Sequence, residues 1–190
     1  EQDAFAVDSH ARAMVADHSA EIVPIQDVVR DAYARALTQR HCDKAKALCG
    51  SVTIANTAVA ADASAFCVVV SDAVAARLGG GMKIVAGATL GDAPELPGLA
   101  PVCAVNAALA AAGLAPAELA CAEIMEAFAV QAIACVQGAG LAPEIVNQGG
   151  GALARGHPIG ASGAILAVRL LHELRGSDGY GLAAIAAAGG

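Results

Sequence analysis

The sequence predicts an α/β fold. Its 57% hydrophobic content is carried by small residues, with only 3% aromatic residues. From Gly50 onward, short apolar runs alternate with alanine-rich helical segments, the pattern of βαβ units and a sheet covered by helices. A charged content of 15%, without long like-charge runs, excludes a disordered or solvating chain. At 190 residues the chain is long enough for one sizeable core.

The elements follow in order. Residues 3–20 repeat apolar positions at Phe5, Ala6, Ala13, Met14 and Ala16, a helical period. Residues 21–25 read as an extended piece in which Pro24 favours an edge or a bend. Residues 27–48 hold Arg30, Arg35, Arg40, Lys44 and Lys46 among alanines and predict one or two exposed helices. Residues 60–71 are apolar and small, and 83–89 predict a strand. A helix follows at 101–112, with Gly113 as terminator. Residues 119–124 predict a strand, 127–137 a helix, 162–174 a long helix, and 179–187 a closing buried strand.

Uncharged stretches such as 54–61 and 63–71 fall far short of the roughly 20 apolar residues of a membrane span, and no basic-then-apolar leader is present. A cytoplasmic protein without membrane contact is expected. A net charge of −7, with no basic stripe, speaks against nucleic acid. Cys42, Cys49, Cys67, Cys103, Cys121 and Cys135 have irregular spacing and no C-x-x-C pair, so free thiols are expected rather than a metal site or a disulfide framework.

The stretch Asn147-Gln148-Gly149-Gly150-Gly151-Ala152-Leu153-Ala154-Arg155-Gly156-His157-Pro158-Ile159-Gly160-Ala161-Ser162-Gly163 crowds glycines around one histidine. Glycines let a backbone approach closely, and Pro158 stiffens the turn that presents His157. Imidazole suits proton transfer or oxyanion donation near neutral pH. No P-loop ending follows the glycines, and no acidic residue stands where a dinucleotide site needs one.

These residues resemble the N-x-N-G-G-A-I-A-x-G-H-P-x-G-x-S-G segment of thiolases, the enzymes that form or cleave 3-ketoacyl-coenzyme A. Residues 1–6, 52–71 and 123–131 resemble the family's E-x-Q-D-x-F-A, V-T-A-G-N-A-S-G-x-N-D-G-A-A and N-E-A-F-A-x-Q segments in order, and Tyr180-Gly181-Leu182-Ala183 resembles the strand before its last catalytic segment. The resemblance implies one half of an α-β-α-β-α layered fold, with a five-stranded mixed sheet covered by helices. It implies that residues 1–20 are the last helix of the N-terminal half and 21–50 a shortened loop-domain remnant. Residues 51–190 would be the C-terminal domain without its final edge strand. The chain ends read as cut, so an N-terminal half or partner subunit is expected, within a homo- or hetero-oligomer.

Roles carry over position by position. His157 matches the histidine that activates the nucleophilic cysteine and donates to the thioester oxygen; that cysteine belongs to the other half. Gly156 matches the glycine of the same turn. Met125 stands where the family has the asparagine that orients an oxyanion-hole water, which a thioether cannot do. Phe128 matches an acyl-pocket aromatic, and Ala58 replaces a coenzyme-contacting serine. Asn56 and Asp62 match structural hydrogen-bonding groups. Ala186 takes the place of the second, acid–base cysteine, and the backbone N–H of Ala188 that of a second oxyanion hole. The implied substrate is acyl-coenzyme A or 3-ketoacyl-coenzyme A, with no separate cofactor and no metal. A non-catalytic thiolase-like subunit that binds acyl-coenzyme A or scaffolds a partner is the alternative.

Overall fold

A computed structural model describes residues 1–187. Helix α1, Gln2–Val15, carries Asp3 in its first turn and Arg12 in its last, each favourable to the helix dipole. It buries Ala6, Ser9 and His10. The expected helix to residue 20 stops early because Ala16 turns extended, and residues 18–22 form a separate turn in which Glu21 and Ile22 donate to the His18 carbonyl.

The helices expected within residues 27–48 reduce to a single turn, α2, Gln39–Cys42. Its start is held by His41 Nδ1, which accepts the Thr38 N–H at 3.2 Å. The rest stays irregular for a physical reason: Val23, Ile25, Val28 and Val29 are exposed, and a short helix without a buried face does not form. Leu37 and Cys42 are the part that packs, joining Ala6, Ala55, Ala129 and Leu153 in a small cluster under α1.

Strands β1, Ala47–Cys49, and β2, Val52–Thr53, pair antiparallel. Asn56 closes this corner against α1: it accepts the Thr53 N–H at 2.8 Å and donates to Asp3 at 2.9 Å. Between residues 63 and 96 the regular structure is one short helix, α3, Asp72–Arg77. The strand expected at 83–89 does not join a ladder; Ile84 and Val85 lie exposed, as do Phe66 and Val68 upstream. Strand propensity there is local, whereas a ladder needs a neighbour with open backbone groups.

The core is built around β3, Leu119–Ile124, and β4, Tyr180–Ala184, a parallel pair that runs from Leu119 opposite Tyr180 to Ile124 opposite Ala184, with a register shift between Leu119 and Cys121. Helices α4, Ala100–Ala112, α5, Ala129–Gly138, and α7, Ser162–Glu173, surround the pair. Gly113 ends α4 at φ +69°, the left-handed cap its position predicts. Val105, Leu109, Leu119, Ala122, Ile124, Cys135, Val136 and Val146 form the main hydrophobic cluster.

The second edge of β3 is satisfied differently. Val146 makes a parallel bridge to Ala122, and the Asn147 side chain then acts as a strand residue: its Oδ1 accepts the Ile124 N–H at 2.8 Å and its Nδ2 donates to the Ile124 carbonyl at 2.9 Å. The α/β class stands, but of the five strands expected in one sheet the described residues close a ladder between two. For the same reason β4, expected to be buried, is half-exposed with its other edge unpaired among the described residues. No helix among the described residues is long and apolar enough to cross a membrane.

Candidate active site

The loop between Asn147 and α7 is shaped by what it passes. At Gly151, a Cβ would fall about 2.1 Å from the Glu126 carboxyl carbon, so only glycine fits. A four-residue helix, α6, Ala152–Arg155, follows and ends at Gly156 with φ +96°. A Cβ at Gly156 would meet Ala61 at 2.8 Å, which adds a close approach to the left-handed backbone. His157 then donates its N–H to the Val59 carbonyl at 2.8 Å and bridges Ala60 in parallel. The Pro158 carbonyl accepts the N–H groups of Ala161 and Ser162, which starts α7.

This turn assigns the histidine's proton. Ser162 Oγ lies 2.9 Å from the Pro158 carbonyl oxygen and 2.7 Å from His157 Nδ1. A hydroxyl has one proton, so both contacts are hydrogen bonds only when Oγ donates to the carbonyl and accepts from Nδ1–H. His157 is therefore held as the Nδ1–H tautomer, with the Nε2 lone pair free. Burial pushes its pKa below the usual 6.5, so the ring is neutral at neutral pH and able to accept a proton. Residues Ala60 to Phe66 and Pro158 to Ala161 flank an open groove beside the ring.

Residues 57–61 tie the other candidates to the histidine. Thr57 bridges Phe128, Ala58 donates to the Ala127 carbonyl at 3.0 Å, Val59 accepts from His157, and Ala61 lies under Gly156. Ala58 packs against a buried cluster of Met125, Ala152 and Leu166. The corner where the motif has two polar residues is thus apolar. Phe128 caps α5 and is 41% exposed, so it is a surface side chain rather than core. Met125 donates its N–H to Ala184, which puts it at the carboxyl end of the parallel ladder, the end from which residue 186 also leaves. Open α/β sheets place ligands at that end. Ala186 is half-buried, and Ala188 lies outside the described residues.

Beneath the turn sits a network that sequence reading left unassigned. Glu126, fully buried, accepts from Ser9 Oγ at 2.8 Å, Asn147 Nδ2 at 2.6 Å and the Leu153 N–H at 3.2 Å. Burial raises its pKa, and the Asn147 and Ser9 hydrogen bonds pull it back. Ser9 Oγ also accepts the Gly151 N–H, so α1 is bonded to the glycine loop. The signal was Glu126 within the E-A-F run, a carboxylate between apolar neighbours. Three buried thiols are held protonated by their environment: burial pushes Cys121 up to about 12 and raises Cys42 and Cys135. Asn56 is the structural hydrogen-bonding group expected, whereas Asp62 is exposed along the groove. Among the described residues no group of three or more His, Cys, Asp or Glu is arranged to hold a metal.

Residues 81–190 match the family model described as "Thiolase, C-terminal domain". The chain belongs to the thiolase family. It is 37% identical over 212 residues to an acetyl-CoA acetyltransferase of Escherichia coli, a match covering 100% of this chain and 53% of that protein. It is 36% identical over 200 residues to a beta-ketoadipyl-CoA thiolase of Acinetobacter baylyi, covering 94% of this chain and 50% of that one. In structure it superposes on the Bacillus anthracis acetyl-CoA acetyltransferase with a TM-score of 0.86 at 30% identity, over 100% of this chain and 53% of that one. The thiolase fold is thereby shown, and the chain spans about half the length of the curated relatives it matches.

Proposed function

We propose that the chain supplies the C-terminal half of an acyl-coenzyme A acyltransferase acting on a 3-ketoacyl or related thioester, with His157 as its proton-transfer residue. The observation that carries this reading is the neutral His157, fixed through Nδ1 by Ser162 with Nε2 unprotonated beside an open groove. In this reading residues 1–20 close the N-terminal half, 21–50 are a short loop domain, and 51–190 are the C-terminal domain. The nucleophilic cysteine comes from the N-terminal half. Nε2 takes the thiol proton, and the thiolate adds to the 3-keto carbon. The C2–C3 bond then breaks, its electron pair leaving with the departing acyl-coenzyme A as an enolate. The imidazolium N–H stabilises the oxyanion, and coenzyme A thiol releases the acyl group from the cysteine. Coenzyme A enters as substrate, not as a resident cofactor.

The enolate needs a proton at C2, and Ala186 has none to give. Condensation of two acetyl groups, which needs a base at this point, is disfavoured; thiolysis or acyl transfer with the proton from another group fits the residues. The Ala188 N–H completes a second oxyanion hole in this scheme, and Phe128 borders the acyl chain. Combining the chain with a thiolase N-terminal half, coenzyme A and a 3-ketoacyl thioester tests the reading: His157→Ala should lower the thiolysis rate by about 10²–10⁴-fold. Equal rates with and without the imidazole would overturn it.

A second reading is favoured by one observation, the apolar corner of Met125, Ala58, Ala152 and Leu166. There the chain is a non-catalytic thiolase subunit that binds acyl-coenzyme A or scaffolds an active partner. Ligand binding without turnover, unchanged by Met125→Asn with Ala186→Cys, supports it; thiolysis recovered by that pair rejects it.

A further inference from the structure

Arg155 is the last residue of α6, separated from His157 by Gly156 alone. Its side chain, 11% exposed, turns inward and brings Nη2 to 3.8 Å from Glu123 Oε2. Glu123 on β3 is fully buried, and neither of its oxygens has a hydrogen bond. What faces it is charge: Arg155 from α6, Arg169 at 3.9 Å from α7, with Glu173 of α7 and Cys121 of β3 alongside. Arg169 is itself held by Glu173 at 2.9 Å and by Glu21 and His18 of the turn after α1. Arg169 also backs the start of the loop, since a Cβ at Gly149 would lie 2.1 Å from its Nη2. The segment that presents His157 is therefore pinned at its start by Arg169 and Glu126 and at its end by Arg155.

We propose that Arg155, held inward by Glu123, is a positioning residue for His157. The proposal rests on the reading of His157 as the proton-transfer group. A buried carboxyl group without hydrogen bonds is costly to leave unpartnered, so Glu123 draws the Arg155 guanidinium, the cation nearest to it, under the turn. Burial raises the Glu123 pKa, and Arg155 leads the charges that pull it back. That tether fixes the end of α6 and the left-handed Gly156, and so the depth at which the imidazole sits against Val59 and Ser162. Released, the ring moves toward water and regains its ordinary affinity for a proton.

Nitrogen-15 NMR of the imidazole in the full chain, assigned by its loss in His157→Ala, reads this directly. Arg155→Met should move the His157 pKa up toward 6.5 and lose the protected Nδ1 proton, whereas Arg155→Lys restores both. Glu123→Gln should shift the same resonances in the same direction. Exposed Arg175→Met should change neither. Folded Arg155→Met and Glu123→Gln proteins that titrate at His157 like the parent would overturn the proposal; if Arg155→Met does not fold, an unshifted Glu123→Gln suffices. A His157 that follows Arg155 yet is dispensable for thiolysis would remove the functional reading and leave this coupling standing.

Discussion

At the residue scale, two side chains define the site through what they bond to. Ser162 spends its one proton on Pro158 and so orients His157. Ser162→Ala should leave the fold intact, cost about 1 kcal/mol in a denaturant titration, and lower His157-dependent thiolysis by roughly tenfold. Glu126 gathers three donors from three parts of the chain. Glu126→Ala strands them in a dry interior and should destabilise by about 3 kcal/mol or more in the same titration. The G-H-P turn marked His157 as a candidate, and only the resemblance to the thiolase segment gave it a role. Ser162 was written in the same motif but carried no signal of its own; its meaning is the Oγ–Nδ1 distance, which only the turn's geometry supplies. Met125 and Ala58 were legible as departures, and the structure adds that they touch one apolar cluster.

At the element scale, local signals held wherever burial was also local. The strand expected at 119–124 is β3, Leu119–Ile124, and Gly113 stops α4 as its position predicts. Periodicity failed where stability depends on a remote partner: the helices of 27–48 lack a face to bury, and 83–89 lacks a neighbouring strand. Asn147 serving as a strand residue beside Ile124 has no sequence signature at all. Two substitutions test this level by thermal unfolding. Ile124→Ala, 2% exposed at the last pair of the ladder, should cost about 3–4 kcal/mol. Gly151→Ala pushes a methyl into the Glu126 carboxyl group and should cost about 1–3 kcal/mol, detaching the loop from α1 without touching His157.

At the scale of the whole molecule, buried titratable groups give stability opposing slopes in pH. His10, 1% exposed and facing Arg35, has its pKa lowered from 6.5 to about 4 by burial first and then by that charge. A lowered histidine contributes stability that is complete above 6.5 and is lost as pH falls toward 4. The raised carboxyls of Glu126 and Glu123 act in reverse, contributing stability below 4.5 that is lost as pH rises through their folded values. Between pH 6.5 and 4 the parent should therefore lose more melting temperature than His10→Leu, which lacks the histidine's contribution. The thiolase fold was legible in the order of motifs, and the chain spans about half the length of the relatives it matches. His157 thus stands at the groove as a neutral imidazole with a free Nε2. Nitrogen-15 NMR at neutral pH tests it most directly. An Nδ1-protonated ring with a bare Nε2, titrating below 6.5, is the predicted result; an Nε2–H tautomer, or a ring still protonated above 6.5, would contradict it.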